Sequence, residues 1–241
     1  MYLKEIVKQI PGVVPLYLKL QKIRLSLKST EQVFTHIHHK NIWGDQSSVS
    51  GPGSNNVQTQ VVKTELPRVL NTFGCKSMLD IPCGDFYWMK DVSLPGIQYI
   101  GADIVAGLID QNSEFVSPVR TFCKLDLIKD PLPSVDLIFC RDCLVHLSFS
   151  DIFEALSNIC ESDSTYLLTT TFTDRLNNRD IVTGDWRPLN FELAPFFFPP
   201  PIQLINENCT EGGDIYKDKS LGLWKVSDIA ACWHDGHIRK I

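Results

Sequence analysis

The sequence predicts an α/β fold in which a mostly parallel sheet carries helices on both faces. Three observations point there. Five short apolar runs recur between Ser77 and Phe172, separated by helix-like or crossover segments. The runs are nearly continuous in apolar residues rather than alternating, which suits strands covered on both faces. Four of them end on or beside an acid, at Asp80, Asp103, Asp126 and Asp142. Those positions share one edge of the sheet, and an open α/β sheet binds its ligands beyond its strand ends.

The bulk numbers fit an ordinary globular chain. It has 241 residues, 44% hydrophobic and 21% charged, with a net charge of -5. That balance gives no whole-protein attraction to nucleic acid, and no nucleic-acid partner is expected. The charge is uneven. Residues 1–28 hold six cations (Lys4, Lys8, Lys19, Lys22, Arg24 and Lys28) against Glu5 alone, a net of +5, leaving -10 over the remainder. Eight cysteines sit largely inside apolar runs with no secretory signal, so a reducing, cytoplasmic setting is expected. Cys140 and Cys143 form a lone C-x-x-C, half of what a zinc site needs, and no metal is expected.

Taken in order, Leu3 to Leu27 repeats apolar residues at helical spacing with Lys and Arg between them. Its longest uncharged stretch, Gln9 to Leu18, is ten residues, whereas a membrane span needs about twenty. The arm reads as an amphipathic helix packed on the domain, with peripheral contact to an anionic membrane surface as the alternative. A second helix is predicted over Glu31 to Lys40. The loop Asn41 to Ser54 combines glycines and serines with Trp43, as a flap folded over a ligand would. We place residues 1–56 as a helical arm and flap and 57–241 as the main domain. A helix follows, with apolar positions Val57, Val61, Val62, Leu66, Val69 and Leu70 and a cap at Asn55 or Asn56.

The first strand, Ser77 to Ile81, stops on Pro82-Cys83-Gly84. Gly84 permits close backbone approach to a ligand and Pro82 fixes the turn. Strands are predicted over Gln98–Ile104, Val119–Leu125, Val135–Cys140 and Tyr166–Phe172. Helices are predicted over Ala106–Phe115 and over Phe149–Cys160, the latter capped by Ser148 or Ser150. Asp103 lies 19 residues beyond Gly84, the spacing at which an acid meets nucleotide ribose hydroxyls. Two closing strands, Ile202–Asn206 and Leu221–Val226, flank the loop Cys209–Lys217, which could reach the same sheet edge.

The segments Leu79-Asp-Ile-Pro-Cys-Gly-Asp85, Gly101-Ala-Asp-Ile104 and Val135-Asp-Leu-Ile-Phe-Cys-Arg-Asp-Cys-Leu-Val-His-Leu147 resemble successive motifs of class I S-adenosylmethionine-dependent methyltransferases. The resemblance covers about residues 57–172. A narrower likeness from Trp43 onward, through Trp-Gly…Ser-Gly-Pro-Gly-Ser and Gly-Asp-Trp-Arg-Pro, is to bacterial members often found among surface-polysaccharide genes. One departure stands out. The family's glycine-rich loop usually reads acid-x-Gly-x-Gly-x-Gly, and here only the middle glycine, Gly84, remains.

The resemblance implies a Rossmann-like seven-stranded, mostly parallel sheet and S-adenosylmethionine as cofactor. It places Asp80 and the Pro82-Cys83-Gly84-Asp85 turn at the methionine end, with Arg141 beside it. Asp103 would hold the ribose, Ile104 would face adenine, and Asp126 and Leu127 would edge the ring. Carboxylates at these positions suit a cationic sulfonium better than a pyrophosphate, which argues against a nicotinamide-dependent dehydrogenase. A non-enzymatic binding scaffold is the other rival.

Methyl transfer needs alignment and, for a hydroxyl or amine acceptor, a base. His146 and Asp142 are the candidates. The polar stretch Asp174 to Asn190 and the flap's Trp43 read as acceptor-binding. Trp43, Asp174, Arg175, Asp185, Trp186 and Arg187 mix hydrogen-bonding groups with flat apolar faces, as sites for a small-molecule or glycan acceptor do.

Overall fold

A computed structural model describes residues 25, 27–45 and 47–234. The predicted arm falls almost wholly outside them, so its packing and its contact with a membrane are not addressed by the structure. Among the described residues no helix is long and apolar enough to cross a membrane.

Helix α1 (Thr30–His39) leads into the flap, and α2 (Gln60–Thr72) runs up to the sheet. Strands β1 (Ser77–Asp80), β2 (Gln98–Asp103), β3 (Arg120–Lys124), β4 (Leu137–Cys140) and β5 (Tyr166–Phe172) follow, with α3 (Ala106–Asn112) and α4 (Phe149–Glu161) among them. Strands β6 (Gln203–Asn206) and β7 (Lys219–Lys225) and helix α5 (Val226–His234) complete the elements among the described residues. The sheet order is β3-β2-β1-β4-β5-β7-β6. The first five strands pair in parallel, and β7 inserts antiparallel between β5 and β6. This is the Rossmann-like α/β sheet expected from the sequence.

Successive side chains on a strand point to opposite faces, and the core divides accordingly. Leu79, Ile138, Cys140 and Leu167 join Ile152, Phe153, Leu156 and Ile159 of α4 on one side. Met78, Leu137, Phe139 and Leu168 join Val62, Leu66, Val69 and Leu70 of α2 on the other. Fully burying one such side chain stabilises the fold by about 1.5–3 kcal/mol. The α4 start is fixed by Ser148, whose Oγ accepts the Asp151 N–H at 3.1 Å. The sequence reading placed these elements within a few residues. It overran β2 and β3 by a residue or so, and it missed the start of β7, where Lys219 and Ser220 are already paired.

The strand order reverses between β1 and β4. Crossovers run outward from there on both sides, leaving a crevice above the carboxyl ends of these two strands.

Candidate active site

A cavity of about 410 Å³ occupies that crevice. Its floor is the turn after β1. Gly84 has a φ of +56°, and a Cβ there would collide with the Ser50 hydroxyl, so the flap and the turn approach as closely as glycine allows. Asn112 donates to the Gly84 carbonyl at 2.8 Å, and the Gly84 N–H donates to Asp103 Oδ2 at 3.1 Å. Asp103 Oδ1 accepts the Val105 N–H at 2.9 Å. Asp103 is therefore braced against the turn, 5% exposed, and burial pushes its carboxyl up to about 6 despite these bonds.

Asp80 is buried more deeply still, at 3% exposure. It accepts the Tyr99 hydroxyl at 2.5 Å. Desolvation raises its carboxyl to about 7, with Tyr99 pulling the other way and Asp103 adding to the rise. Pro82, Cys83, Ile104, Asp126 and Leu127 also line the cavity, so every residue expected at the cofactor is brought to one space.

Asp85 lines the cavity, but its carboxylate is turned to the flap. Oδ1 accepts the hydroxyls of Ser48 and Ser50 at 3.0 and 3.2 Å, and Oδ2 accepts the Val49 N–H at 3.0 Å. Arg141 likewise reaches the flap, donating from Nη2 to the Gly53 carbonyl at 2.9 Å. The loop is thus held at both ends, and residues 49–54 roof the cavity.

A buried ionic cluster lies under the roof. Arg141 donates to Glu207 Oε2 from Nε at 3.0 Å and from Nη2 at 2.6 Å. Lys219 Nζ stands 2.6 Å from Asp142 Oδ2 and 3.7 Å from Glu207 Oε2. Burial opposes both cations, but the facing carboxylates outweigh it and hold each above its ordinary value. Asp142 takes a left-handed φ of +52°, which turns the chain so that its N–H meets Thr170 Oγ1 at 2.8 Å. Burial would raise its carboxyl, yet Lys219 and Arg141 bring it down to about 2. A carboxylate that weakly basic is poorly suited to take a proton.

His146 is better placed. Its Nδ1 lies 3.0 Å from the Asp185 carbonyl oxygen. A carbonyl only accepts, so Nδ1 carries the proton and Nε2 holds the lone pair of the neutral ring. Burial lowers the His146 pKa, against the Asp185 carbonyl and Asp142, which keeps that neutral form. Trp43 packs on the imidazole with centroids 4.9 Å apart.

The Gly-Asp-Trp-Arg segment divides its work. Trp186 lines the cavity beside Tyr216, but Asp174, Arg175, Asp185 and Arg187 do not reach it. Arg187 is fully buried and donates to the carbonyls of Leu144 and Leu147 at 2.9 and 2.5 Å, gripping the turn that bears His146. The Gly184 N–H bonds the His146 carbonyl at 2.8 Å. Arg175 is committed to Asp218, at 3.0 and 2.6 Å. Asp174 hangs from the same carboxylate by its N–H at 3.1 Å. An arginine in a polar stretch looks alike in sequence whether it meets a ligand or a backbone carbonyl.

Sequence reasoning also missed residues that line the cavity. His38 comes from α1, where its Nδ1 is buried with no hydrogen-bond partner among the described residues. Glu211 and Tyr216 come from the Cys209–Lys217 loop, one that the sequence allows to reach this edge. Lys219 gave no signal, because a lysine opening a strand ordinarily faces water. No three His, Cys, Asp or Glu side chains among the described residues are grouped to hold a metal ion.

The fold is that of class I S-adenosylmethionine-dependent methyltransferases. The chain superposes on the methyltransferase domain of a bacterial Hen1 protein with a TM-score of 0.53 at 11% identity, covering 70% of this chain and 98% of that one. It superposes on the N-methyltransferase NodS of Bradyrhizobium japonicum at 0.50 and 14% identity, covering 71% and 97%. Human N-acetylserotonin methyltransferase, solved with S-adenosylmethionine, gives 0.50 at 14% identity, covering 79% and 65%. No protein-family model matches the sequence, and no curated protein matches it.

Proposed function

We propose that the chain transfers the methyl group of S-adenosylmethionine to a hydroxyl of a small, sugar-containing acceptor. The observation that carries this reading is Asp80, a carboxyl 3% exposed and raised to about 7 at the floor of the cavity. Such a group favours a cationic ligand, and the cofactor bears a sulfonium and an ammonium. A dinucleotide would instead bring pyrophosphate charge against Asp80 and Asp103.

The residues present fit the cofactor. Asp80 and the Pro82–Asp85 turn would take its methionine end, Asp103 the ribose hydroxyls, and Ile104 and Leu127 the adenine faces. Arg141 would stand beside the methionine portion. The cofactor supplies an already activated methyl carbon, so the protein's own work is alignment, exclusion of water and removal of one proton. The flap provides the roof. His146 Nε2 takes the acceptor proton, and Asp142 orients the acceptor rather than deprotonating it. The likeness of the flap and the Gly184–Pro188 segment to polysaccharide-associated enzymes supports a sugar as the acceptor's bulk.

The test is a thermal-shift series with S-adenosylmethionine, S-adenosylhomocysteine and NAD on wild type and Asp103→Ala. A ligand at about 100 times its dissociation constant adds roughly 2.7 kcal/mol, or about 5–10 °C for a chain of this size. The expected result is a rise with the two methionine-derived ligands that Asp103→Ala removes. A rise with NAD alone overturns the reading.

A further inference from the structure

The charges at the acceptor end of the cavity are not evenly presented, and this narrows the acceptor; the inference rests on the methyltransferase reading above. The two cations are withdrawn. The Arg141 and Lys219 side chains are each 5% exposed and are engaged by Glu207 and Asp142. Both cations line the cavity, but the more exposed members of the cluster are carboxylates. The Asp142 side chain is 26% exposed, and Glu211 is half-buried at the cavity wall. Glu207 adds a third carboxylate behind them, so the cluster holds three acids against two bases.

The hydrogen-bonding capacity is equally one-sided. Asp142 Oδ2 carries both Lys219 and Arg141, while Oδ1 has the Thr170 hydroxyl at a long 3.4 Å. An ionised carboxylate accepts and never donates, so what it asks of a ligand is an O–H or N–H. A phosphate or a second carboxylate offers acceptors and a like charge, and like charges brought together in a partly desolvated site are costly. The walls are flat and apolar. Trp43 lies against His146, and Trp186 packs on Tyr216 with centroids 5.0 Å apart. The flap closes on the same carboxylate, since a Cβ on Gly53 would stand 3.0 Å from Asp142 Oδ2.

We propose that this end of the cavity selects an uncharged, hydroxyl-bearing sugar and excludes the phosphorylated and carboxylated forms of that sugar. Asp142 and Glu211 take its hydroxyls, and Trp43 and Trp186 cover its apolar faces.

The experiment is saturation-transfer NMR on the full chain, with and without S-adenosylhomocysteine. The probes are a matched set of methyl hexosides, the corresponding hexose 6-phosphates and the corresponding hexuronates. Transfer to at least one uncharged hexoside is expected, with its phosphate and uronate binding at least about tenfold more weakly. Glu211→Gln is expected to close much of that gap. Equal or tighter binding of the charged forms overturns the proposal, as does the absence of transfer to any hexoside. S-adenosylhomocysteine binding is read by calorimetry on the same samples. Its absence would overturn the methyltransferase reading, while the sugar arms without it still judge the present one.

Discussion

Ser50 and Asp85 hold each other twice. The Ser50 hydroxyl donates to Asp85 Oδ1 at 3.2 Å, and the Asp85 N–H donates back to Ser50 Oγ at the same distance. With Ser48 and Val49 bonded to the same carboxylate, the acid that follows Gly84 serves as the catch of the flap.

Asp85→Ala should therefore loosen residues 47–54 without unfolding the sheet. Hydrogen bonds to a charged group are worth about 1.5–3 kcal/mol each. Losing several at once should weaken S-adenosylmethionine binding by at least about tenfold. Hydrogen exchange should report faster exchange confined to the flap, and Asp85→Asn should fall between the two. Unchanged exchange in the flap would contradict the role given to Asp85.

His146→Ala should lower kcat by about 100- to 10,000-fold, the range for loss of a general base. The dissociation constant of the cofactor should stay within about threefold of wild type. Burial depresses the His146 pKa below its ordinary 6.5, so the neutral base is present above that lowered value. Activity should fall as the pH drops through it, with a flat profile at and above neutrality. Asp142→Asn should alter KM for the acceptor and shift this acid limb to lower pH, because the Asp142 charge raises the His146 pKa.

On the proposed reading, Asp80 makes cofactor binding visible as a proton count. Its carboxyl is held at about 7 in the folded chain against an ordinary value near 3.8. At pH 6.5 it is largely protonated, and a cationic ligand beside it should release that proton. Calorimetric binding enthalpies near pH 6.5 should be more exothermic in Tris than in phosphate, a difference that Asp80→Asn abolishes. The stability consequence has a definite sign. Between about pH 4 and 7 the folded state binds more protons than the unfolded state, so Asp80 costs stability as the pH rises through that window. Asp80→Asn should raise the melting temperature more at pH 8 than at pH 5.

Lys219→Met should destabilise the fold by roughly 3 kcal/mol, because it removes one of the two buried cations facing Asp142 and Glu207 and leaves Arg141 alone against them. Urea unfolding measures this directly. The double variant Lys219→Met, Asp142→Asn should recover part of the loss.

The parts of this molecule that follow from periodicity were legible in its sequence. The apolar run Val135 to Cys140 holds β4, whose residues Leu137–Cys140 are all buried, and the four strand-end acids mark one edge by spacing alone. Asp80, Gly84 and Asp103 therefore point to the cavity from the sequence alone, and all three line it. What sequence could not distinguish is what a polar side chain bonds to. Arg187 and Trp186 are adjacent, yet one grips the carbonyls of Leu144 and Leu147 and the other faces the cavity. Asp85 was read as part of the cofactor turn, but its carboxylate reaches 35 to 37 residues back to the flap. Lys219 was invisible because its burial depends on Asp142, 77 residues away.

That separation also bears on how the protein is made. Arg141 and Glu207 are 66 residues apart, and Asp142 and Lys219 are 77 apart. The parallel sheet through β5 and the turn after β1 involve only earlier chain. The ionic cluster waits for the last hairpin to dock, and contacts of such long range form slowly. As the chain emerges from the ribosome, the turn after β1 precedes the ionic cluster, whose electrostatics are completed only when β7 slides in beside β5.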